Sequence, residues 1–232
     1  MVESCSRSPQ IFNICEFIGS MFLVIAAIAP MILFIDVFKA DIAVAVVADA
    51  LAVGFVLMAL IEIFGPICTA YFNPAVTLAM LIDHRINIRQ ALKYSFAQIL
   101  GGIAGLLFTH LMFIDVNKKF VDISNISRDG GVYLAEILGT FILVLCIFSL
   151  VNQKSDRVSF IVGFLVGGML LSTSSTMFAN PQVTIARIFT YSQAGISPFD
   201  AVVFIFMQII GTIFAVLVWK KIVSICSTDN SI

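Results

Sequence analysis

The sequence predicts an all-α integral membrane protein of six spanning helices and two re-entrant half-helices, arranged as two inverted halves. Three observations predict it. The 232 residues are 60% hydrophobic and 12% charged, with a mean hydropathy of +1.08, far above the apolar share of a soluble domain. Two stretches, Tyr71-Phe72-Asn73-Pro74-Ala75-Val76-Thr77 and Phe178-Ala179-Asn180-Pro181-Gln182-Val183-Thr184, set an Asn-Pro pair inside apolar surroundings. The same order of motifs then recurs in both halves of the chain.

Six apolar runs meet the ~20-residue length needed to cross a bilayer. They lie near 11–35, 42–63, 90–114, 132–152, 158–177 and 199–222. The first is too long for a signal-peptide core of ~7–15 residues, although Ala27-Ile28-Ala29 mimics a cleavage site, so it reads as a retained span. Two shorter pieces, 74–82 and 181–190, follow the Asn-Pro pairs and cannot cross. Proline suits the first position of a helix and a preceding Asn can cap it. Each pair therefore reads as a helix that starts within the membrane, where irregular backbone survives only if protein buries it or a wet cavity meets it. The loop Asp115–Gly131 joins the halves.

Glu16 recurs as Glu136, Asn73-Pro74-Ala75 as Asn180-Pro181-Gln182, and Gln98 as Gln208. Repeat one covers about 10–114 and repeat two about 131–223 of a single channel domain, 1–232. Three spans per half make the second half enter from the opposite side, with a site expected at the midplane. With both termini inside, Arg7, Arg85, Arg89, Lys93, Lys154, Arg157, Lys220 and Lys221 are cytoplasmic and Lys39, Lys118, Lys119, Arg128 and Arg187 are outside. That bias favours cytoplasmic termini.

Other classes find no support. A net charge of −1 argues against a nucleic-acid partner. Cys5, Cys15, Cys68, Cys146 and Cys226 are scattered and indicate neither a disulfide framework nor a metal site. There is no phosphate-binding loop or nucleophile constellation, so neither an enzyme nor a cofactor is expected.

The paired Asn-Pro motifs, the intramembrane Glu of spans one and four and the Gln of spans three and six resemble the aquaporin family, the major intrinsic proteins. The resemblance covers nearly the whole chain. It implies a right-handed bundle, half-helices meeting end to end, one pore per subunit, a homotetramer and a plasma (inner) membrane location in the lipid bilayer. Phe64-Gly65-Pro66-Ile67, the run Ala179–Arg187 and Ala194-Gly195-Ile196 resemble the bacterial aquaporins of arsenic-resistance operons. The chain departs from the family at Gln182, where Ala is usual, at Val183, where Arg is usual, at Tyr71, where His is usual, and at Thr69, where Gly is common.

Asn73 and Asn180 are expected to face each other and donate to a passing oxygen, with a helix N-terminus of roughly +0.5 charge behind each. The bulk of Gln182 either narrows the pore or is absorbed between half-helices. Charges within spans default to functional hypotheses. Glu16 and Glu136 resemble braces for the re-entrant loops, and Gln98 and Gln208 read as bracing or helix-contact residues. Motif spacing assigns the selectivity constriction to Val53, Gly168 or a neighbour in span five, Met177 and Val183, an uncharged set with no buried Arg. Arg187, four residues beyond Val183, lines the outer mouth or reaches solvent. Asp49 edges that mouth and can pair with it, although a wet position suits Asp49 and Glu62. The leading reading is a passive channel for water and small neutral solutes: glycerol-like polyols, or undissociated arsenous acid and methylated arsenicals. The alternatives are a mainly water-selective aquaporin, an ion-coupled transporter, or a structural protein with a closed pore.

Overall fold

The computed structural model describes residues 9–128 and 130–229, all of them helix or connection with no strand. Arg7 and Cys5 lie outside the described residues. Helix α1 (Pro9–Met31) continues as a π-helical segment, Ile32–Val37. Pro30 sits at the end of α1. It has no N–H for the carbonyl four residues back, and wider turns follow it. Then come α2 (Ile42–Phe64), the short α3 (Pro74–Ile82), α4 (Ile88–Met112), a single turn α5 (Ile114–Asn117), α6 (Gly131–Asn152), α7 (Val158–Ser172), the short α8 (Pro181–Arg187) and α9 (Pro198–Asp229). Side-chain caps open several of them. Asp41 caps α2, and Asn87 and Gln90 form a reciprocal capping box on α4.

Five of these elements are long and apolar enough to cross a membrane. The sixth expected span is shorter than its hydropathy suggests. The run 158–177 is helical only to Ser172, about 22 Å at 1.5 Å per residue. Ser172 and Thr173 each return a hydroxyl to the carbonyl four residues back, at 2.8 Å. Thr173 then turns to extended backbone. Such back-bonding competes with the helical ladder, and the polar run Thr173-Ser174-Ser175-Thr176 leads into the second re-entrant loop. The second half-helix likewise stops at Arg187 rather than at residue 190.

The halves pack alike. Helix α1 lies against α4 and α6 against α9, while α2 and α7 join the halves. These contacts depend on missing side chains. A Cβ on Gly101 would stand 2.2 Å from the carbonyl oxygen of Phe17, and one on Gly211 would stand 2.5 Å from that of Ile137. Across the halves, a Cβ on Gly54 would meet the Gly163 carbonyl oxygen at 2.9 Å. Small residues let membrane helices approach and gain dispersion contacts that hydrocarbon cannot supply as well. The outer faces carry Leu92, Phe96, Phe199 and Val202, all exposed, as lipid contact requires. Helices α3 and α8 both pack against α4 and α9, and this brings the two Asn-Pro motifs together.

Candidate functional site

Each half-helix is capped by its own Asn. The Asn73 side-chain oxygen accepts from the Ala75 amide at 2.8 Å, and that of Asn180 accepts from the Gln182 amide at 3.2 Å. Their amide nitrogens reach across the molecule. Asn73 Nδ2 donates to the Ala179 carbonyl at 2.8 Å, and Asn180 Nδ2 donates to the Phe72 carbonyl at 2.9 Å. The two helix starts are thus tied head to head by reciprocal bonds. A side-chain amide has two N–H groups, so each Asn keeps one donor beyond this tie.

The accepting carbonyls belong to residues in an unusual backbone state. Phe72 has φ 48° and Ala179 has φ 44°. Side chains other than Gly lose about 1–2 kcal/mol there. Two buried carboxylates hold the loops in this shape. Glu16 accepts from the Thr69 hydroxyl (2.7 Å), the Tyr71 amide (2.9 Å), the Phe72 amide (2.7 Å) and Gln98 Nε2 (2.8 Å). Glu136 accepts from the Phe178 and Ala179 amides, both at 2.9 Å, and from Gln208 Nε2 at 2.7 Å. Gln98 and Gln208 also reach the hydroxyls of Thr77 and Thr184, both at 3.0 Å. Those threonines bond back to Asn73 and Asn180. One network therefore recurs in both halves, running from Glu through Gln and Thr to Asn.

A cavity of about 420 Å³ passes beside the Asn pair. Its walls are helical stripes at every fourth residue: Val53, Leu57 and Ile61 from α2, Leu143, Ile147 and Val151 from α6, and Val162, Val166 and Leu170 from α7. Asn73, Asn180, Met177 and Val183 line it as well. Gly168 does not. It is exposed on the far side of α7, and a Cβ built on it meets nothing within 4 Å. The stripe of Val162 and Val166 continues at Leu170, and that residue takes the wall position assigned to Gly168. The expected span ran to residue 177, whereas the helix stops at Ser172 and the rest is loop.

The expectations of no buried Arg and of a wet Asp49 are the second correction. It is 3% exposed and lines the cavity, and Asp49 is 4% exposed rather than wet. Arg187 Nη2 donates to Asp49 Oδ2 at 3.3 Å and to the Ala27 carbonyl. Its Cζ lies 4.3 Å from the centre of the Phe178 ring. The set Val53, Met177 and Val183 is uncharged, but a buried Arg stands one helical turn beyond it. The available signal was the i, i+4 spacing of Asp49 to Val53 and of Val183 to Arg187. Glu62, by contrast, sits at the other end of the cavity, where it accepts from the Ser159 hydroxyl at 2.7 Å.

Gln182 is 1% exposed and is absent from the cavity wall. Its side chain turns to α4, where a Cβ on Gly102 would meet Oε1 at 2.1 Å. The extra bulk is therefore absorbed between α8 and α4 and does not narrow the cavity. Gly102→Ala should lower thermal stability by about 1–3 kcal/mol through overpacking, and adding Gln182→Ala should restore most of it. A melting curve of the purified variants in detergent measures this, and additive effects of the two changes would break the link.

Several known proteins resemble this chain. The family model "Major intrinsic protein" matches residues 7–178. The chain is 35% identical over 208 residues to an aquaglyceroporin, AqpS, of Rhizobium meliloti (strain 1021), across 89% of this chain and 88% of that protein. It is 28% identical over 158 residues to the glycerol uptake facilitator protein-like 6 of Lactiplantibacillus plantarum, across 66% of this chain and 69% of that one. The solved aquaglyceroporin from Plasmodium falciparum superposes with a TM-score of 0.77 over 93% of this chain and 97% of its own. At 18% identity that likeness shows the fold alone. The family match over most of the chain, with a relative this similar along nearly its whole length, makes the chain a member of the major intrinsic protein family.

Proposed function

We propose that the cavity is a passive pore for water and small neutral solutes of glycerol size. The observation that carries this reading is the reciprocal tie between Asn73 and Asn180. It leaves one free donor from each half beside a cavity whose walls are otherwise mostly apolar. Such a path favours a solute that carries hydroxyl oxygens for the donors and a carbon backbone for the walls. A strictly polar solute loses its hydration without replacement along Leu57, Ile147 and Val166. The two helix N-termini behind the Asn residues add positive potential, which disfavours cations. Relatives named as an aquaglyceroporin and a glycerol uptake facilitator support glycerol-like polyols as the solute class. Undissociated arsenous acid, small, neutral and hydroxylated, fits the same chemistry.

Glu16 and Glu136 bear on the transporter alternative. Both carboxylates are engaged with amide, hydroxyl and Gln donors, which suits a bracing role better than carrying a coupling ion. We further propose a homotetramer in the plasma membrane with both termini cytoplasmic. The basis is family membership and the charge bias of the loops.

Stopped-flow light scattering on proteoliposomes tests the reading. Both water and glycerol should equilibrate faster than in empty vesicles, with no dependence on a pH or sodium gradient. Accumulation above the external concentration, abolished by an ionophore, would replace the channel with a coupled transporter.

A further inference from the structure

We infer that Arg187, held in place by Asp49, is the solute-recognising donor and the cation barrier of the outer constriction, in place of the uncharged residue Val183. This rests on the channel reading above and specifies the chemistry of its narrow section. Three observations converge on it. Arg187 is a charged side chain on the cavity wall near Val53, Leu170 and Val183. It is fixed rather than floppy. Nη2 is committed to Asp49 and to the Ala27 carbonyl, and the guanidinium lies over the Phe178 ring. Finally, its Nη1 makes no hydrogen bond among the described residues and, unlike Nε, is not sealed from the cavity.

The charge arrangement is directional. Arg187 lines the cavity and Asp49 does not, so the nearer charge that a permeant meets is positive. Asp49 stands behind it and pairs with the guanidinium without placing a carboxylate on the path. A planar guanidinium anchored on one nitrogen can offer its remaining N–H groups to a hydroxyl oxygen in a fixed geometry. A cation faces the same group as repulsion. The fixed donor thus stands one turn further out along α8 than Val183. A second guanidinium, Arg128, also lies over Phe178, 5.5 Å from its centre, with the Asp200 carboxylate beside it.

The test uses the full-length protein in proteoliposomes and reads glycerol-to-water permeability together with potassium and proton leak. Removing one partner alone would strand a buried charge, so the main variants change both. In Asp49→Asn/Arg187→Met no charge remains and the cavity wall loses its donor at this position. The glycerol-to-water ratio should fall by about fivefold and the cation leak should rise by about tenfold. In Asp49→Asn/Arg187→Gln a donor remains without charge, so the leak should rise as far but the ratio should fall less. Arg187→Lys keeps a charge but moves the donors, so cations should stay excluded while the ratio shifts. Size-exclusion elution and melting temperature establish assembly. Assembled double variants with wild-type ratio and leak would overturn the inference. If neither double variant assembles, an unmoved ratio in Arg187→Lys overturns it. A wild-type protein that passes neither water nor glycerol would sink the channel reading itself, and that outcome is distinct from unchanged variants of a conducting wild type.

Discussion

Glu136→Ala is expected to abolish the assembled protein, not merely its transport. The donors that converge on this carboxylate include three amide groups, those of Phe178, Ala179 and the Gln208 side chain. The glutamate itself is fully buried, so water does not replace it. An unsatisfied buried donor costs about 1–3 kcal/mol, and three of them approach the 5–15 kcal/mol that holds a typical protein together. There is a further loss. The bonds to Phe178 and Ala179 hold the loop in which Thr176, Met177 and Ala179 all have positive φ. Without the carboxylate those residues relax toward ordinary backbone. The Ala179 carbonyl then leaves Asn73 Nδ2, and the tie between the half-helices opens. Glu136→Gln keeps one acceptor oxygen and the side-chain volume, so it should assemble with lowered stability. Expression, monodisperse elution and melting temperature measure both variants. A Glu136→Ala protein that elutes and melts like wild type would remove the brace. A Glu136→Gln protein that keeps full stability while its solute uptake loses a pH dependence shown by wild type would make the residue a proton carrier.

The fold was legible because hydrocarbon imposes length. Apolar runs such as 42–63 and 132–152 need little else to be read as spans, and α2 and α6 occupy nearly those limits. The Asn-Pro pairs were legible for the opposite reason, as polar and proline residues where hydrocarbon tolerates neither. The end of α7 was not. Hydropathy continues through Met169-Leu170-Leu171, and the break is made by hydroxyls that turn back on their own helix. The loop that follows was beyond reach as well, since nothing in Thr176, Met177 or Ala179 as residue types announces positive φ. With the helix ended at Ser172, the wall position expected at Gly168 falls instead at Leu170. Glu16 and Glu136 were visible as acids in apolar spans, but the number of donors around each is a property of the folded loops. The site of Gln182 turned on Gly102, a residue 80 positions away whose lack of a side chain becomes informative only once α4 and α8 are side by side.

Val183→Arg should suppress glycerol permeation by more than about tenfold while water permeation falls by a smaller factor. Val183 is 6% exposed and lines the cavity with Val53, so a long side chain there has the pathway itself as its nearest space. Added bulk is one cause. The other is charge. Arg187 lies four residues on, the spacing at which side chains of one helix meet and like charges repel. The carboxylate that pairs with this face of α8, Asp49, is already bonded to Arg187. A second guanidinium must therefore project into the cavity or compete for Asp49, and either result narrows the section beside Val53. Water, smaller and able to pass a tighter polar ring, is hindered less. The variant should also melt lower than wild type, because two buried positive charges share one partner. Adding Leu170→Ala would open the facing wall and should recover part of the glycerol flux without removing the repulsion. The measurement is the glycerol-to-water permeability ratio at equal reconstitution density. A ratio unmoved by Val183→Arg in assembled protein would mean that permeants do not pass Val183, and the pathway would then have to run elsewhere than along the stripe of Val53, Leu57 and Ile61.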